Sequence, residues 1–445
     1  MALTAIEIYK LLPQTNCREC GFPTCLAFAM QLALKKTSLD KCPSVSEEAK
    51  AALEGSAAPP INLVTIGVGD KALQVGNETV LFRHEETFHH PCGLAVIVPS
   101  DLDDATLSAQ AAHLSGLQFD RVGMSVGVDL IALQHVPGSD FAAAATAVAQ
   151  AGSLPLILMS DDPAAMEAAA AAVADKRPLL YAATNANFDS MVQIAKQHGL
   201  PLALRSEGID DIADLAAKAM AAGVTEIVLD TAPKNPKEML LHQTAIRRAA
   251  LLKKNRQVGH PTIVFPMGDT PLTKVLNASV AIAKYAGIVV IDFDDPALLL
   301  PLVTARLNIY TDPEKPIQVQ PGVYAVGAAT EESPVLVTTN FSLTYFTVEG
   351  DVSASKVPAW IVVVDTKGTS VLTAWAAEDF TAETITKTIN EYDVASKVKH
   401  RTLIIPGGVA VLSGKLEDLS GWKVLVGPRE SAGIPAFLKT LPKLA

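Results

Sequence analysis

The fold is decided by residues 202–222, which read Leu-Ala-Leu-Arg-Ser-Glu-Gly-Ile-Asp-Asp-Ile-Ala-Asp-Leu-Ala-Ala-Lys-Ala-Met-Ala-Ala. The apolar run Leu202–Leu204 is typical of a buried parallel strand, and Ile209–Ala222 has apolar residues at helical spacing.

The same strand–helix pattern recurs from residue 93 to about residue 310. Strands are predicted at Leu94–Val98, Arg121–Val126, Leu154–Met159, Leu179–Ala183, Leu202–Leu204, Glu226–Asp230, Thr262–Phe265 and Ile288–Asp292. Helices that follow them include Asp162–Ala174, Asn187–Gln197, Ile209–Ala222, Pro236–Lys254, Thr270–Tyr285 and Pro296–Leu307. Eight equal units of this size predict a closed (β/α)8 TIM barrel rather than an open sheet.

Polar residues follow the predicted strands, where barrel enzymes carry their active sites. These residues are Ser160, Asp161, Asn185, Arg205, Asp230, Thr231, Gly268, Asp269, Asp292, Asp294 and Asp295. Asp, Ser and Asn are also the residues that cap the helices following each strand. The pattern therefore leaves catalysis, ligand binding and helix capping open.

The last 125 or so residues predict a second α/β unit, which is too short for a barrel. The proline-rich segment Asn308–Pro321 reads as a linker before it. Strands are predicted at Pro334–Thr338, Ala359–Val364, Thr402–Ile405 and Lys423–Val426, with helices at Leu343–Val348, Ala382–Tyr392, Val409–Leu416 and Ser431–Leu438. An open, doubly wound sheet is indicated, and ligands bind such sheets beyond the carboxyl ends of the strands. Those ends carry Asn340, the Lys367–Thr373 loop, Gly407-Gly408 and Gly427–Gly433, which suit a large amide-decorated ligand or ordinary turns.

Four of the five cysteines are clustered near the start of the chain, in Cys17-Arg-Glu-Cys-Gly-Phe-Pro-Thr-Cys25 and Cys42-Pro. A tetrathiolate site fits zinc or an iron–sulfur cluster, and redox disulfides are a third alternative. The tight spacing of the first three thiols, the apolar helix predicted from Cys25 to Lys36 and the proline after Cys42 favour a 4Fe–4S cluster. Further short helices are predicted at Ala5–Leu12 and from Ser44, and Gly55–Pro60 reads as a linker.

Residues 61–90 alternate like the strands of a small antiparallel meander, with turns at Gly69-Asp70 and Gly76-Asn77. The Gly67-Val-Gly-Asp segment lacks the lysine and the helix of a phosphate loop, so a turn is favoured. A structural role is favoured for His89-His90-Pro91-Cys92 over a metal site.

Composition excludes several functional classes. The net charge of −11 comes without basic blocks, which argues against nucleic-acid binding. No apolar run is long enough for a transmembrane helix, and the first residues do not resemble a signal peptide. Free thiols then predict a reducing, cytoplasmic location.

The chain resembles the large (gamma) subunit of the corrinoid iron–sulfur protein of the acetyl-CoA synthase/decarbonylase (reductive acetyl-CoA) pathway. The resemblance rests on residues 11–25, Leu-Leu-Pro-Gln-Thr-Asn-Cys-Arg-Glu-Cys-Gly-Phe-Pro-Thr-Cys, on residues 363–373, Val-Val-Asp-Thr-Lys-Gly-Thr-Ser-Val-Leu-Thr, and on the order of the predicted domains. It implies an α/β chain with a helical 4Fe–4S module (1–58), a TIM barrel domain (61–310) and an open, doubly wound Rossmann-like cobalamin-binding domain (322–445).

The resemblance also implies two cofactors, a 4Fe–4S cluster and a cobalamin-type corrinoid. Its cluster ligands map onto Cys17, Cys20, Cys25 and Cys42. Its corrinoid contacts map onto Asn340, Phe346, Ser370, Val371, Leu372, Thr373, Gly407 and Gly433. The C-terminal unit lacks an Asp-x-His-x-x-Gly motif and has His400 alone, so the resemblance implies a base-off corrinoid, which eases reduction of its cobalt.

The function implied is that of a corrinoid-dependent methyl carrier. A methyl group from methyltetrahydrofolate would be accepted on cob(I)amide and delivered from methylcob(III)amide to acetyl-CoA synthase, while the cluster supports reductive reactivation. Implied partners are the small subunit (in a heterodimer), the methyltetrahydrofolate methyltransferase, acetyl-CoA synthase and a reductive activator. Two alternatives stay open: a self-contained TIM-barrel methyltransferase that binds methyltetrahydrofolate through Asp161, Asn185 and Asp230, and an electron-transfer subunit without corrinoid.

Overall fold

The computed structural model describes residues 5–33, 37–46, 49, 59–121, 123–312 and 316–442. These residues fall into two compact units. The first unit comprises residues 1–81, 89–116 and 128–302, and the second comprises residues 82–88, 117–127 and 303–445. The domain boundaries 1–58, 61–310 and 322–445 remain predictions. Within the described ranges, no helix combines the length and the apolar character that a membrane crossing requires.

Two short helices pack around the N-terminal cysteines. They are α1 (Ala5–Leu11) and α2 (Cys25–Ala33). Ile8, Leu12, Phe28 and Ala29 are buried between them, together with two of the cysteines. The end of the predicted Cys25–Lys36 helix, most of the helix expected from Ser44 and most of the Gly55–Pro60 linker lie outside the described residues.

A β-hairpin follows, made of β1 (Val64–Ile66) and β2 (Leu73–Val75), with a turn of 3₁₀ helix at Gly69–Lys71 between them. The turn at Gly69-Asp70 is as predicted. The expected meander requires a further strand near residues 79–83, and that prediction is wrong because the segment forms no strand. Val64 and Ile66 of β1 are part of the core that the barrel strands enclose. The guanidinium of Arg177, just before a barrel strand begins, donates to the carbonyl of Thr65 at 3.2 Å. The hairpin therefore closes the bottom of the barrel, away from the carboxyl ends of its strands.

The next ten strands are β3 (Gly93–Pro99), β4 (Gln118–Arg121), β5 (Met124–Gly127), β6 (Leu130–Gln134), β7 (Leu156–Met159), β8 (Leu179–Ala183), β9 (Leu202–Arg205), β10 (Ile227–Asp230), β11 (Ile263–Val264) and β12 (Ile288–Ile291). Eight of them, all except β4 and β5, pair in parallel in the order β10-β9-β8-β7-β6-β3-β12-β11. A parallel bridge between Leu229 and Thr262 joins β10 to β11. The predicted parallel barrel is therefore confirmed.

The second barrel strand was placed wrongly by the sequence pattern. Residues 121–126 do not form a barrel strand but belong to the antiparallel hairpin β4–β5, which lies in the second unit. The barrel strand is β6, four of whose five residues are completely buried. Barrel strands are buried on both faces and favour unbroken apolar runs, and β6 meets that requirement whereas residues 121–126 include Arg121 and Ser125.

Helices follow the barrel strands at α3 (Asp104–Gly116), α4 (Phe141–Ala151), α5 (Pro163–Val173), α6 (Phe188–His198), α7 (Ile209–Ala221), α8 (Pro236–Leu252), α9 (Pro271–Ala283) and α10 (Pro296–Tyr310). The helices after β7, β10 and β11 begin in the same way. Asp162, Asn235 and Thr270 each accept a backbone N–H of the first turn, and a proline occupies the first helical position. This chemistry starts each helix directly after its strand, so the strand ends stay together at one edge of the barrel.

The second unit contains an open sheet of five strands. They are β13 (Gly322–Val326), β14 (Val335–Thr339), β15 (Ala359–Val364), β16 (Thr402–Ile405) and β17 (Lys423–Val426), in the order β13-β15-β14-β16-β17. The four predicted strands are parallel to one another. The fifth strand, β13, is an antiparallel edge strand directly after the predicted linker, and it was not predicted. Its helices are α11 (Ser342–Ser355), α12 (Val371–Ala376), α13 (Ala382–Glu391), α14 (Val394–Lys397), α15 (Ser413–Ser420) and α16 (Ile434–Thr440).

Apolar residues cover both faces of this sheet. Val335 and Val337 of β14 face a core formed with α13 and α15, and Leu336 faces a core formed with α11 and α16. The sheet is therefore doubly wound, as predicted. The chain passes from β14 to β15 on one side and then to β16 on the other, so the topological switch point lies between β14 and β16.

Candidate functional site

The four clustered cysteines differ in exposure. Cys25 and Cys42 are buried, Cys20 is half-buried and Cys17 is exposed, and all four are free thiols. Cys20, Cys25 and Cys42 share the small hydrophobic core of the N-terminal module. Within the described ranges, no three His, Cys, Asp or Glu side chains converge closely enough to enclose a metal ion. The structure thus brings three of the predicted ligands into one core, whereas Cys17 stays at the surface.

The loop before α2 is arranged around Cys25. The backbone N–H of Asn16 points at Cys25 Sγ over 3.4 Å, and the Asn16 side-chain oxygen accepts the N–H of Cys25 at 2.8 Å. Asn16, Arg18 and Gly21 have left-handed backbone conformations, with φ between 50° and 83°. One amide N–H directed at sulfur and four free thiols belong to the chemistry of an iron–sulfur cluster, so the set of donor groups present fits such a group.

A crevice of about 160 Å³ opens at the carboxyl ends of the sheet in the second unit. Its walls come from the switch-point strands β14 and β16, from α11 and α12, and from the loop that follows β17. The lining residues used below are Thr338, Thr344, Leu372, Gly408, Arg429 and Ser431. Most of the surface is apolar and its polar groups are mainly uncharged hydroxyls, apart from Arg429.

Two neighbouring threonines at the end of β14 have unusual side chains. The hydroxyl oxygens of Thr338 and Thr339 are both buried, and neither has a hydrogen-bond partner among the described residues. Thr338 lines the crevice and Thr339 does not. Because a buried unpaired hydroxyl costs free energy, the Thr338 hydroxyl marks a place where a ligand could complete the structure.

Asn340, a predicted corrinoid contact, is completely engaged within its own unit. Its side-chain oxygen accepts the backbone N–H groups of Thr366 and Gly368 at 2.9 and 3.0 Å, as well as the Thr366 hydroxyl at 3.0 Å. Its side-chain nitrogen donates to Gln318 and Asp365 at 3.2 and 3.0 Å. Asn340 therefore holds the loop that leads to α12 and has no side-chain hydrogen-bonding position left for a ligand.

The other predicted contacts divide into two groups. Val371 and Leu372 line the crevice. Gly407 and Gly433 adjoin it, in the loops after β16 and β17; a Cβ on Gly407 would lie 2.5 Å from the Gly427 carbonyl oxygen, so the close approach of these loops requires glycine.

Phe346, Ser370 and Thr373 are not among the lining residues. Ser370 precedes α12 and its hydroxyl lies 3.0 Å from that of Thr373. The ring of Phe346 packs against Gly123 of the β4–β5 hairpin, so closely that a Cβ there would lie 2.4 Å from the ring.

His400 lies at the opposite edge of the sheet, before β16 begins. It is buried, its Nδ1 accepts the N–H of Thr402 at 3.2 Å, and its Nε2 lies 2.9 Å from the carbonyl oxygen of Ser333. These bonds place the ring proton on Nε2. The one histidine of residues 322–445 is thus held by backbone groups, away from the crevice.

A second cavity, of about 380 Å³, occupies the mouth of the barrel. Among the predicted mouth residues, Ser160, Asp161, Arg205 and Asp230 line it. Asn185 is exposed and is not part of the lining, so the trio Asp161, Asn185 and Asp230 is not gathered at one site.

Four of the remaining mouth residues have structural partners. Asp295 accepts the N–H of Ala297 in the first turn of α10, and Asp294 accepts from Gln110 at 2.8 Å. Thr231 is bonded to His242 at 3.0 Å, and Asp292 pairs with Lys274. Helix capping and surface pairing therefore account for these residues, as one of the open alternatives expected.

Several lining residues of the barrel mouth were missed. Gln134 is the last residue of β6 and His135 follows it, and the apolar run Leu130-Ile-Ala-Leu was the signal that could have revealed them. Tyr181 lies inside β8, where its burial gives no sequence signal. In the crevice, Thr338 was missed for the same reason.

Known relatives match this chain over its whole length. The corrinoid/iron–sulfur protein large subunit of Moorella thermoacetica is 47% identical over 441 residues, which cover 99% of both chains. The chain belongs to the family of corrinoid/iron–sulfur protein large subunits. Acetyl-CoA decarbonylase/synthase complex gamma subunits are similar too: that of Methanothermobacter thermautotrophicus is 37% identical over 99% of both chains, and that of Methanopyrus kandleri is 35% identical over 98% of this chain and 97% of the relative.

Family models agree with this membership. The model described as CO dehydrogenase/acetyl-CoA synthase delta subunit matches residues 63–438, and a model for an Fe–S cluster motif matches residues 12–44. Large-subunit and complex-subunit names state that members of this family work in assemblies with other subunits. Among solved structures, a truncated 3-deoxy-D-arabino-heptulosonate 7-phosphate synthase from Thermotoga maritima aligns over 55% of this chain and 91% of its own, with 15% identity and a TM-score of 0.38, a likeness that carries no argument about function.

Proposed function

We propose that this chain is a methyl carrier that holds a corrinoid in the crevice of its C-terminal unit. The methyl group would come from methyltetrahydrofolate on a separate methyltransferase and go to acetyl-CoA synthase. The observation that carries the proposal is the crevice at the switch point of a doubly wound sheet, with the unpaired hydroxyl of Thr338 in its wall. A bound corrinoid supplies a low-valent cobalt that can accept and release the methyl group.

The lining suits a large ring with amide side chains. Thr338, Thr344 and Ser431 offer hydroxyls that can donate to amide oxygens or accept from amide N–H groups. Gly408 lets the loop after β16 approach the Leu372 side chain, which a Cβ there would meet at 3.1 Å. These residues would hold the periphery of the ring by hydrogen bonds and support its apolar face with Leu372.

The chain would hold the group without an axial histidine. The imidazole of His400 is bonded to backbone groups at the opposite edge of the sheet, so it cannot reach a ligand at the carboxyl ends. The crevice residues would therefore hold the group by its periphery, and the bound group would supply the chemistry of methyl transfer.

The N-terminal module would support reduction of this site. Cys17, Cys20, Cys25 and Cys42 would be the ligands of a 4Fe–4S cluster, with the Asn16 N–H stabilising the Cys25 sulfur as a thiolate. A bound cluster supplies single electrons. Exposed Cys17 would place one edge of the site at the surface, where a reductive activator could approach.

The elements that line the crevice, α11, α12 and the segment after β16, also carry exposed apolar side chains. Leu343, Leu372 and Val411 are 53%, 57% and 72% exposed. Single exposed leucines are ordinary, but three around one crevice are typical of a surface that is covered in an assembly. The smaller subunit of a heterodimer would cover this side, leaving it when the methyltransferase or acetyl-CoA synthase takes its place.

A visible spectrum of the anaerobically purified full chain with its small subunit, combined with metal counts, tests the proposal. About one cobalt and about four irons per chain are expected, with corrinoid bands above the broad iron–sulfur absorption. A colourless zinc protein would overturn the cluster assignment. Iron without cobalt would favour an electron-transfer subunit, and cobalt that stays with the small subunit after separation would place the corrinoid there.

A further inference from the structure

The barrel mouth contains a cavity that the methyl-carrier function does not use. It has a volume of about 380 Å³, which is within the usual range for small-molecule sites. Three of its polar side chains are almost completely buried: Asp230, Ser160 and Tyr181 are 3%, 8% and 9% exposed. Polar groups buried at the wall of an open cavity require fixed partners, so their contacts show what the cavity still offers.

Asp230 is held on both carboxylate oxygens. Its Oδ1 accepts the N–H of Ala232 at 2.8 Å, and its Oδ2 accepts the hydroxyl proton of Tyr181 at 2.6 Å. Burial raises the pKa of this carboxyl. Asp230 therefore forms a fixed floor for the cavity. Because both of its oxygens already accept hydrogen bonds, it is not a binding group for a cation.

Arg205 is the cation of the cavity. It is half-exposed, and its Nε lies 3.6 Å from Asp230 Oδ2. In the part of the chain that the structure describes, the terminal nitrogens of this guanidinium have no other side-chain partner. A planar guanidinium with free terminal nitrogens matches the geometry of a carboxylate, which it can bind through two parallel hydrogen bonds.

The remaining walls are flat and apolar. The rings of Tyr181 and Phe265 lie 5.1 Å apart, and the thioethers of Met159 and Met267 line the same cavity. Aromatic faces and methionine sulfur make favourable contacts with a planar ring. The walls thus favour a flat ring over a flexible aliphatic chain.

The charges at the mouth favour a single negative charge on the ligand. One guanidinium faces the cavity, while the carboxylates of Asp161 and Asp230 stand beside it. A second negative charge, as on a phosphate, would be repelled by these carboxylates, and His135 is the one other lining residue that could balance it, when protonated.

We propose that the barrel mouth is a second binding site, separate from the corrinoid crevice, for a small aromatic or heteroaromatic carboxylate. Arg205 binds the carboxylate, and the ring lies against Phe265 and Tyr181. Methionines 159 and 267 cover the ring edge. Asp230 and Tyr181 act as positioning residues, since their mutual hydrogen bond fixes the side of the cavity on which Arg205 lies.

Nicotinate, nicotinamide and inorganic phosphate are the probes, titrated against the full chain by calorimetry and ligand-observed NMR. Nicotinate and nicotinamide share a ring and differ in the carboxylate, so nicotinate is expected to bind about tenfold more tightly. Equal binding of the two, or no nicotinate binding up to about 10 mM, overturns the proposal. Displacement of nicotinate by inorganic phosphate also overturns it, because the site would then be a general anion site.

Variants assign the binding to the mouth. Arg205→Gln is expected to weaken nicotinate binding about tenfold. Arg205→Lys should weaken it less, because lysine keeps the positive charge but lacks the planar group that donates two parallel hydrogen bonds. Arg248→Gln, on an exposed position of α8, is the matched control and is expected to change nothing. Unchanged nicotinate binding in Arg205→Gln would refute the site, and an unchanged thermal unfolding midpoint confirms that each variant is folded.

Discussion

The hydroxyl of Tyr181 donates a 2.6 Å hydrogen bond to the carboxylate of Asp230, with both side chains buried at the floor of the barrel mouth. Burial raises the pKa of Asp230, while the bond from Tyr181 acts in the opposite direction. The pKa of the Tyr181 hydroxyl is raised by its own burial and by the neighbouring carboxylate. The pair thus makes the barrel's stability depend on pH.

The first prediction concerns that dependence. The pKa of Asp230 is higher in the folded chain than its unfolded value of about 3.9, so the folded state binds more protons above that pH and its stability falls as pH rises through the folded pKa. Asp230→Asn removes this loss, so its free energy of unfolding relative to wild type should rise as the pH increases above the unfolded pKa of about 3.9. Thermal unfolding at several pH values measures it.

Tyr181→Phe is the companion variant. It removes a hydrogen bond that lowers the pKa of Asp230, so the pH range of the stability loss should extend upward. A pH profile of Tyr181→Phe parallel to that of wild type would show that the bond does not control the carboxyl.

The second prediction separates a ligand contact from a structural residue. Thr338→Val and Thr339→Val each remove a buried hydroxyl that has no partner in the described structure, so each should stabilise the corrinoid-free chain by about 1 kcal/mol. Only Thr338 lines the crevice. Corrinoid affinity should therefore fall in Thr338→Val and stay unchanged in Thr339→Val; equal affinities for the two variants would contradict the proposed contact.

The third prediction concerns Asn340. Asn340→Ala leaves the backbone N–H groups of Thr366 and Gly368 without their acceptor, so the second unit should lose about 3 kcal/mol of stability. Urea unfolding measures this loss. Ser370→Ala, in the same loop but bonded only to Thr373 by its hydroxyl, should change stability by less than about 0.5 kcal/mol. A loss below about 1 kcal/mol in Asn340→Ala would show that the conformation of the loop does not depend on the hydrogen bonds of Asn340.

The fourth prediction assigns the role of the cysteine module. Cys20→Ala should abolish the iron–sulfur absorption and reductive reactivation, while methyl transfer from pre-reduced protein continues. Cys92→Ala is the control, because Cys92 is a buried thiol outside the module. Equal loss of both activities in Cys20→Ala would refute the separation of electron supply from methyl transfer.

Much of the fold follows from unbroken apolar runs, and its errors have identifiable causes. Residues 121–126 and 130–133 compete for the same barrel position, and the run without polar residues is the strand because both of its faces are buried. Strand β13 escaped notice because it is a half-exposed edge strand that follows a proline-rich segment.

The sites were less predictable than the fold. Glycines and loop residues after strands are visible in the sequence, and they include Val371 and Leu372, which line the crevice. Tyr181 and Thr338 lie within strands, where an inward-facing polar residue looks the same as a structural one. Asn340 shows the converse, since it lies at a strand end but its side chain makes all of its hydrogen bonds to Gln318 and to residues 365–368.

The β4–β5 hairpin limits how the second unit can move, because it belongs to that unit while the chain on both sides of it belongs to the first. The chain passes between the two units at five places: 81/82, 88/89, 116/117, 127/128 and 302/303. The Asn308–Pro321 segment lies inside the second unit and is none of these five connections. Any rearrangement of one unit against the other therefore has to involve several connections together.

The same arrangement sets an order of events during synthesis. The hairpin leaves the ribosome before most barrel strands, but Phe346, against which its Gly123 packs, is made long after them. Barrel strands can pair as they emerge, whereas the hairpin has to wait, unpartnered, until nearly the whole polypeptide exists. The protein that carries this hairpin is therefore expected to finish folding only after translation ends, with its second unit last.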